Sequence, residues 1–175
     1  MPSTHLSSFF YLCLSLGNKQ KSDIQSTRMS KTLSIVIPAY NEGPTIHFIL
    51  DKVRAVVLHG GLQKEIIIVN DCSTDDTEAA IQRYQQEHPG FNIQYHRHEV
   101  NKGKGAALHT GIREATGDFV IIQDADLEYD PEEYNILLKP VLDGVADVAE
   151  RRPGADGLDA GPHGLERRVH QLGGL

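Results

Sequence analysis

Hydrophobic and polar positions alternate in blocks from Leu33 onwards. Short runs with the length and composition of strands, the third of them more polar than the others, occupy residues 33–38, 64–71, 91–98 and 118–124. Longer stretches with apolar residues at helical spacing follow them at 43–61, 73–90, 106–117 and 130–144. Strands that alternate with helices predict right-handed crossovers and a mostly parallel sheet with helices on both faces. The predicted fold class is therefore α/β.

Turn and cap residues mark the ends of the predicted helices. Pro44 lies near the first turn of the first helix, and Gly60 is expected to end it. Ser73 or Thr74 is expected to cap the second helix, whose acidic first turn suits the helix dipole.

The regular pattern occupies the middle of the chain. Residues 1–30 are expected to form a weakly structured extension, and Met29 is a candidate for the true start of the protein. After Val148 the sequence is rich in Gly and Arg and has no helical or strand period, so residues 149–175 are expected to be irregular, as the product of a reading-frame change would be. Residues 31–148 are predicted to form one incomplete domain, truncated after its fourth or fifth strand, with an exposed apolar sheet edge.

Composition and charge restrict the function classes. The chain has 175 residues and a formal net charge of −7, which gives no electrostatic reason to expect a nucleic-acid partner. Its two cysteines, Cys13 and Cys72, form neither a disulfide framework nor a zinc site, which favours a reducing compartment. No run reaches the roughly 18 consecutive apolar residues that a membrane-spanning helix needs. A cytoplasmic protein is expected.

Polar or glycine-rich sequence follows each predicted strand. The segments are PAYNE at 38–42, NDCSTD at 70–75, NKGKG at 101–105 and DADLE at 124–128. In open parallel sheets, ligands bind beyond the carboxyl ends of the strands, so four such segments predict a site at one edge.

The carboxylates after the fourth strand suit a metal ion. Asp124 and Asp126, with Glu128 as a third ligand, supply hard oxygen donors for Mg²⁺ or Mn²⁺, which commonly bridge protein carboxylates to substrate phosphates. A solvated turn is the alternative for the two aspartates, since Asp is common in turns.

Other residues at this edge suit the rest of a nucleotide. Lys102 and Lys104 lie among glycines, in a loop that lets both backbone and lysine approach an anion. Asp71 and Glu42 can accept hydrogen bonds from a base or ribose. A P-loop and a dinucleotide-binding fingerprint are both excluded, because their glycines would have to stand at other positions. The inferred ligand is a nucleoside diphosphate with a metal ion.

Four segments, in this order, resemble the inverting family 2 glycosyltransferases, particularly their dolichyl-phosphate mannose synthase-like bacterial branch. The segments are LSIVIPAYNEG, IIIVNDCSTDDT, NKGKGAALHTGIREATGD and VIIQDADLEYDPEEY. The resemblance extends from about Leu33 to about Val148. It implies the GT-A fold, a Rossmann-like nucleotide-sugar-binding arrangement of which this chain holds the N-terminal part.

The resemblance implies roles for individual positions. Nucleotide-sugar binding is implied for Pro38, Ala39, Tyr40, Glu42, Asp71, Lys104 and Asp124. Within this set, Asp71 matches a position that recognises base or ribose, and Lys104 matches a basic position near the diphosphate. Asp124 and Asp126 match the catalytic Asp-x-Asp motif that holds a divalent metal, and Glu128 matches a metal-contacting position.

Two positions depart from the usual family sequence. Asn70 stands where the family has the first of two aspartates, and Cys72 stands where it has glycine. The first departure removes a charge near the nucleotide. The second asks for a backbone shape that glycine adopts more easily.

The function implied by the resemblance is sugar transfer from a UDP- or GDP-linked donor, with inversion. The implied acceptor is a polyprenyl phosphate or a polysaccharide, and a lipid phosphate would place the protein at the inner face of the membrane. A non-catalytic nucleotide-sugar-binding fragment is the alternative hypothesis. A nucleotidyltransferase is disfavoured, because such enzymes carry a glycine-rich loop directly after the first strand.

Several residues are interpreted as structural. His96 and His98 share a face of the third predicted strand and are assigned to an edge-strand surface rather than to a metal pair. Tyr129 and Tyr134 are interpreted as packing residues, and Cys72 as a small buried residue rather than a nucleophile.

Overall fold

The α/β architecture is present in the computed structural model, which describes residues 11–15, 30–126, 129–145 and 148–151. The strands of these residues are β1 (Tyr11–Ser15), β2 (Thr32–Ala39), β3 (Gln63–Asn70), β4 (Ile93–Arg97), β5 (Phe119–Ile122) and β6 (Val148–Arg151). They form one sheet in the order β4-β3-β2-β5-β1-β6. The pairs among β2, β3, β4 and β5 are parallel, and β1 pairs antiparallel with β5 and β6. The predicted mostly parallel sheet is confirmed.

Helices connect the parallel strands. They are α1 (Ile46–Ala55), α2 (Thr77–Glu87), α3 (Lys104–Glu114) and α4 (Tyr134–Leu142), with 3₁₀ turns at His59–Gly61 and Pro131–Glu133. Within the described ranges, no helix has the length and apolar composition needed to cross a membrane.

Two apolar clusters cover the two faces of the sheet. Side chains alternate along a strand, so Ile66 and Ile68 of β3 pack with α1, α2 and α4, whereas Ile67 and Val69 pack with Ala107 of α3. The central strands are therefore buried on both faces, which explains their continuous runs of isoleucine and valine. The prediction of helices on both faces is confirmed.

A lysine from β3, rather than a glycine, satisfies the end of α1. The helix ends at Ala55, before the glycine expected to stop it, and Val56 has an extended backbone with φ −60° and ψ 135°. Lys64 Nζ donates to the carbonyl oxygens of Val53, Arg54 and Val56, each at 2.8 Å. These are acceptors that a further helical turn would have used.

Asp75, rather than Ser73 or Thr74, satisfies the start of α2. The N–H of Thr77, the first helical residue, donates to Asp75 Oδ1 at 3.0 Å. The Ser73 hydroxyl instead accepts from the Asn41 N–H at 3.0 Å. All three residue types cap helices, so sequence could not distinguish adjacent candidates.

Short parts of the two ends of the chain form strands, and the other residues predicted to be weakly structured or irregular lie almost entirely outside the described residues. Strands β1 and β6 lie in segments expected to be weakly structured and irregular, with Cys13 opposite Ile121 and Leu14 opposite Val148. Strand pairing uses backbone groups, so it does not need the side-chain period on which the expectation rested. The edge of β5 that was expected to be exposed is covered by β1.

Candidate active site at the carboxyl edge of the sheet

A cavity of about 390 Å³ lies at the carboxyl ends of the parallel strands. Its lining comes from the end of β2, the residue after β3, the loop and first turns of α3, and the segment after β5. The lining residues are Pro38, Ala39, Tyr40, Glu42, Asp71, Asn101, Gly103, Lys104, Ala107, Asp124, Ala125 and Asp126. The eight described residues for which the family resemblance implies nucleotide-sugar or metal binding all belong to this lining, whereas Lys102, the other lysine of the glycine-rich loop, does not. Glu128, the ninth, lies outside the described residues.

Asp124 and Lys104 form an ion pair inside the cavity. The Asp124 side chain is 8% exposed and the Lys104 side chain 33% exposed, and Lys104 Nζ lies 2.7 Å from Asp124 Oδ1. At this distance, attraction between the two opposite charges holds the ammonium group against the carboxylate oxygen. A buried carboxylate needs such a cation, because loss of solvent disfavours its charged form.

Gln123, which is fully buried, holds the segment that carries Asp124. Gln123 Nε2 donates to the carbonyl oxygens of Asp124 at 2.9 Å and Tyr129 at 3.2 Å, and the Tyr134 hydroxyl donates to Gln123 Oε1 at 2.7 Å. The backbone on both sides of the Asp-x-Asp motif is thus tied to one side chain. Tyr129 and Tyr134 are both buried, which confirms their packing role.

Asp126 is exposed and lines the same cavity. In the part of the chain that the structure describes, no group of three or more His, Cys, Asp or Glu side chains is arranged to hold a metal ion. Two carboxylates leave most positions of a six-coordinate ion to other oxygens. Mg²⁺ sites that accept substrate phosphates and water have this character.

Asp71 is surrounded by donors from the loop before α3. Its Oδ1 accepts from the Lys102 N–H at 2.9 Å, and its Oδ2 accepts from the Gly103 N–H at 2.7 Å and the Lys102 N–H at 3.2 Å. Burial alone would raise the pKa of Asp71, but the hydrogen bonds from Lys102, His98 and Gly103 outweigh it and hold the pKa below its ordinary value. The side chain is therefore an ionised anchor for this loop.

His98 is a site residue that the sequence interpretation missed. It follows the last residue of β4, is 8% exposed, and places Nδ1 2.6 Å from Asp71 Oδ1 and Nε2 2.9 Å from Thr110 Oγ1 of α3. The assignment of His98 to a strand surface is therefore wrong. Its place immediately after a strand, at the edge where the other polar segments collect, was the signal available in the sequence.

A second buried carboxylate, Glu65, holds the opposite end of α3. It accepts hydrogen bonds from the Thr116 N–H at 3.0 Å, the Thr116 hydroxyl at 2.7 Å, Gln94 Nε2 at 2.7 Å, and the Ser34 hydroxyl. Burial alone would raise the pKa of Glu65, but the bonds from Ser34 and Thr116 lower it. Helix α3, with Lys104 at its first position, is thus anchored to β3 beyond both ends.

The loop after β2 is tied to the segment that leads into α2. Asn41 donates its N–H to Ser73 Oγ at 3.0 Å, and its Oδ1 accepts from the Thr74 N–H at 2.9 Å. These bonds fix the loop that presents the half-exposed Tyr40 and Glu42 to the cavity.

Comparison with known proteins shows the family of this chain. Residues 34–166 match the sequence profile of Glycosyl transferase family 2. The chain belongs to this family. It is 31% identical over 117 residues to the dolichol-phosphate mannosyltransferase of Pyrococcus furiosus, an alignment that covers 67% of this chain and 32% of that protein. The chain spans about a third of the length of the curated relatives that it matches.

Two solved structures share the fold. The mannosyltransferase PcManGT of Pyrobaculum calidifontis, solved with GDP-Man and Mn²⁺, is 30% identical, with a TM-score of 0.52 over 66% of this chain and 33% of that chain. The glucosyl-3-phosphoglycerate synthase of Mycobacterium tuberculosis, solved with Mn²⁺, UDP and glucosyl-3-phosphoglycerate, is 30% identical, with a TM-score of 0.50 over 64% and 40%. The GT-A fold implied by the motifs is confirmed.

Asn70, the first departure from the family sequence, is a structural residue in this chain. Its side chain is buried, its Oδ1 accepts from the Ser73 N–H at 2.8 Å, and its Nδ2 donates to the Tyr95 hydroxyl at 2.9 Å. The amide thus uses both its donor and its acceptor to join β3 to β4 and to the start of the α2 loop.

Cys72, the second departure, adopts the left-handed backbone expected of glycine, with φ 59°. Its side chain is half-buried rather than buried, and Sγ lies 3.4 Å from the Glu99 carbonyl oxygen. The position at which the resemblance implies glycine is therefore occupied by a residue for which this conformation is strained.

Proposed function

We propose that this chain is the nucleotide-sugar-binding part of a family 2 hexosyltransferase, which transfers a sugar from a nucleoside-diphosphate donor with inversion. The observation that carries the proposal is the Asp124–Lys104 ion pair in a cavity that Asp126 also lines. A metal-bound diphosphate suits these neighbouring charges, because the metal attracts the aspartates and the phosphate oxygens attract the lysine.

A divalent metal ion fits the two aspartates. The buried Asp124 oxygen already lies against a cation, the Lys104 ammonium group, and both structural neighbours described above contain Mn²⁺. We assign Asp124 and Asp126 to Mg²⁺ or Mn²⁺, with Glu128 as the expected third ligand. When bound, the ion offsets negative charge that develops on the departing diphosphate.

The nucleoside is assigned to the wall formed by Pro38, Ala39, Tyr40 and Glu42. Tyr40 is 49% exposed at the cavity and offers an aromatic ring to a base. Lys104 is assigned to the diphosphate. UDP and GDP conjugates both suit this arrangement, since one neighbour was solved with GDP-Man and the other with UDP.

The proposed acceptor is a lipid phosphate at the inner face of the membrane. A phosphate is largely ionised at neutral pH and can attack without a general base. The described residues that line the cavity include no histidine, the carboxylates of Asp71 and Asp124 are already engaged, and Asp126 and Glu42 are assigned above to the metal and the nucleoside. The relative from Pyrococcus furiosus, a dolichol-phosphate mannosyltransferase, supports this acceptor class. A polysaccharide hydroxyl would need a base from elsewhere in the protein.

Isothermal titration with GDP and UDP, in Mn²⁺ and in EDTA, tests the proposal. We expect Mn²⁺-dependent binding of one nucleotide, and Asp126→Asn should weaken it by at least about tenfold because a metal ligand is lost. Asp143→Asn, which removes an exposed carboxylate beyond α4, is the matched control and should bind like the unsubstituted protein. Equal affinity in Mn²⁺ and in EDTA would contradict the metal assignment.

Transfer is tested separately from binding, because the chain spans only about a third of its relatives. GDP-mannose and UDP-glucose are supplied with polyprenyl phosphate and Mn²⁺, and lipid-linked sugar is measured. Product formation supports the transferase. Binding without product supports the alternative, a nucleotide-sugar-binding fragment.

A further inference from the structure

The Asp71 carboxylate has little acceptor capacity left for a nucleoside. Its two oxygens already accept from three donors, which are His98 Nδ1, the Gly103 N–H and the Lys102 N–H that both oxygens share, and a carboxylate offers about four acceptor sites in total. The side chain is also almost completely buried. Asp71 therefore acts on the loop around it, although the family resemblance implied direct recognition of base or ribose.

Contacts that begin at Asp71 reach α3 at two positions along the helix axis. Gly103, whose N–H donates to Asp71, directly precedes Lys104 and is the N-cap residue of the helix. His98 links Asp71 to Thr110, which lies nearly two turns further along α3. One anchor would let a helix turn about its axis, but two anchors at different heights prevent this rotation.

Close packing removes the remaining freedom of α3. A Cβ atom at Gly111, the residue after Thr110, would lie 2.3 Å from Val36 Cγ1, so the helix backbone lies directly against β2. The direction in which Lys104 leaves the first turn of α3 is therefore fixed by Asp71, His98 and the sheet together.

We propose that His98 and Asp71 are positioning residues that set where the Lys104 ammonium group meets the donor's diphosphate. The inference rests on the proposed function. His98 does not line the cavity, so it acts through Asp71 and α3 rather than on the donor. Its Nδ1 carries a proton, because the ionised Asp71 can only accept, and in the neutral ring Nε2 accepts from the Thr110 hydroxyl.

The experiment compares nucleoside diphosphates with monophosphates. Isothermal titration in Mn²⁺ measures the affinity of each variant for GDP and GMP, or for UDP and UMP if uridine is preferred. If His98 acts through Lys104, His98→Ala should weaken diphosphate binding by about tenfold and monophosphate binding by less than about twofold. Thr110→Val, which removes only the link from His98 to α3, should show the same selectivity to a smaller extent.

A double-mutant cycle with Lys104→Met tests whether the effect passes through the lysine. When Lys104 is absent, His98→Ala should change diphosphate affinity by less than about twofold. His96→Ala, in the strand β4 that His98 follows but outside this network, is the matched control and should bind like the unsubstituted protein. Thermal unfolding without ligand shows which variants remain folded, and Thr110→Val preserves the test if His98→Ala does not fold.

The outcomes separate this inference from the function on which it rests. Absence of Mn²⁺-dependent nucleotide binding by the unsubstituted protein would overturn both. Normal binding by that protein, with equal losses of mono- and diphosphate in His98→Ala and Thr110→Val, would overturn the inference alone and return Asp71 to nucleoside recognition. Additive effects of His98→Ala and Lys104→Met would also overturn it.

Discussion

Glu65 and Asp71 hold opposite ends of the same helix, but only one of them lies at the cavity. Both are buried, both accept several short hydrogen bonds, and in both cases these bonds hold the pKa below its ordinary value. Glu65 anchors the segment that leaves α3 towards β5, whereas Asp71 anchors the entry, where Lys104 lies. A buried carboxylate therefore stabilises the fold at one end of the helix and positions the charged side chain of Lys104 at the other.

The alternation of β3 explains why both acids reach the same helix. Glu65 and Asp71 are separated by an even number of positions, so they lie on the face of β3 that α3 covers, together with Ile67 and Val69. Apolar residues occupy the middle of this face and carboxylates its two ends. There they accept from N–H groups of the loop before α3 and of Thr116, which follows the helix. An acid at the end of a buried strand face can therefore act as an anchor for the facing helix.

Glu65→Gln disrupts the anchor beyond the C-terminal end of α3 and should have the largest effect on stability. The amide keeps acceptor capacity on one oxygen only and places an NH₂ group among the donors of Ser34, Gln94 and Thr116. Because buried donors are then left without acceptors, the free energy of unfolding should fall by roughly 2–3 kcal/mol, measured by urea denaturation.

The control for this variant is Glu87→Gln, at the exposed end of α2, which should change stability by less than about 0.5 kcal/mol. Acid provides a second readout. The pKa of Glu65 is lower in the folded than in the unfolded protein, so its contribution is present above the unfolded pKa and is lost as pH falls through the folded pKa. Glu65→Gln should therefore lose less stability than the unsubstituted protein on acidification. A parallel acid dependence in both proteins would contradict the anchoring role.

Sequence patterns were sufficient for the four parallel strands and for the edge of the sheet at which the cavity lies. The runs around Ile35, Ile67 and Val120 are buried on both faces, so hydrophobicity alone identifies them as central strands. The motifs of a known family then identify the cavity lining, because residues such as Asp124 and Lys104 follow strand ends that must meet at one edge.

The features that sequence patterns missed depend on contacts between distant segments. The link from His98 to Asp71 joins residues 27 positions apart, and no local period marks it. The Lys64 cap on α1 likewise depends on how a strand and a helix pack. The strands β1 and β6 are only five and four residues long, and their pairing with distant backbone segments cannot be read from so short a run.

Gly111→Ala tests the packing of α3 against β2 between the two anchored ends, and its effect on stability should be intermediate. The new Cβ would lie 2.3 Å from Val36 Cγ1, so either the helix or the buried valine must move. The clash outweighs the gain in helix propensity, and the free energy of unfolding should fall by roughly 1–2 kcal/mol, measured by thermal or urea denaturation.

Gly105 supplies the matched control within the same helix. A Cβ there meets no atom within 4 Å, so Gly105→Ala should stabilise the protein by roughly 0.5–1 kcal/mol through helix propensity alone. Val36→Ala should recover part of the loss in Gly111→Ala, because it restores the missing space. Equal stabilisation by both glycine substitutions would show that α3 does not need its close approach to β2.

Cys72→Gly changes the backbone next to Asp71, at the anchor before α3, and should have the smallest effect on stability. Cys72 directly follows Asp71 and holds φ at 59°, a conformation that costs a residue with a side chain roughly 1 kcal/mol and costs glycine almost nothing. Glycine also gives the unfolded chain more freedom and removes the weak contact from Sγ to the Glu99 carbonyl, so the net gain in unfolding free energy should be roughly 0.5 kcal/mol.

Cys72→Ser is the matched control, since it keeps both the strain and a hydrogen-bonding group, and it should show no gain. Nucleotide affinity should be unchanged in both variants, because the donors around Asp71 come from His98 and the loop before α3. If Cys72→Gly lowered stability instead, the sulfur contact would outweigh the backbone strain, and the family's glycine would no longer be the better residue at this position of the chain.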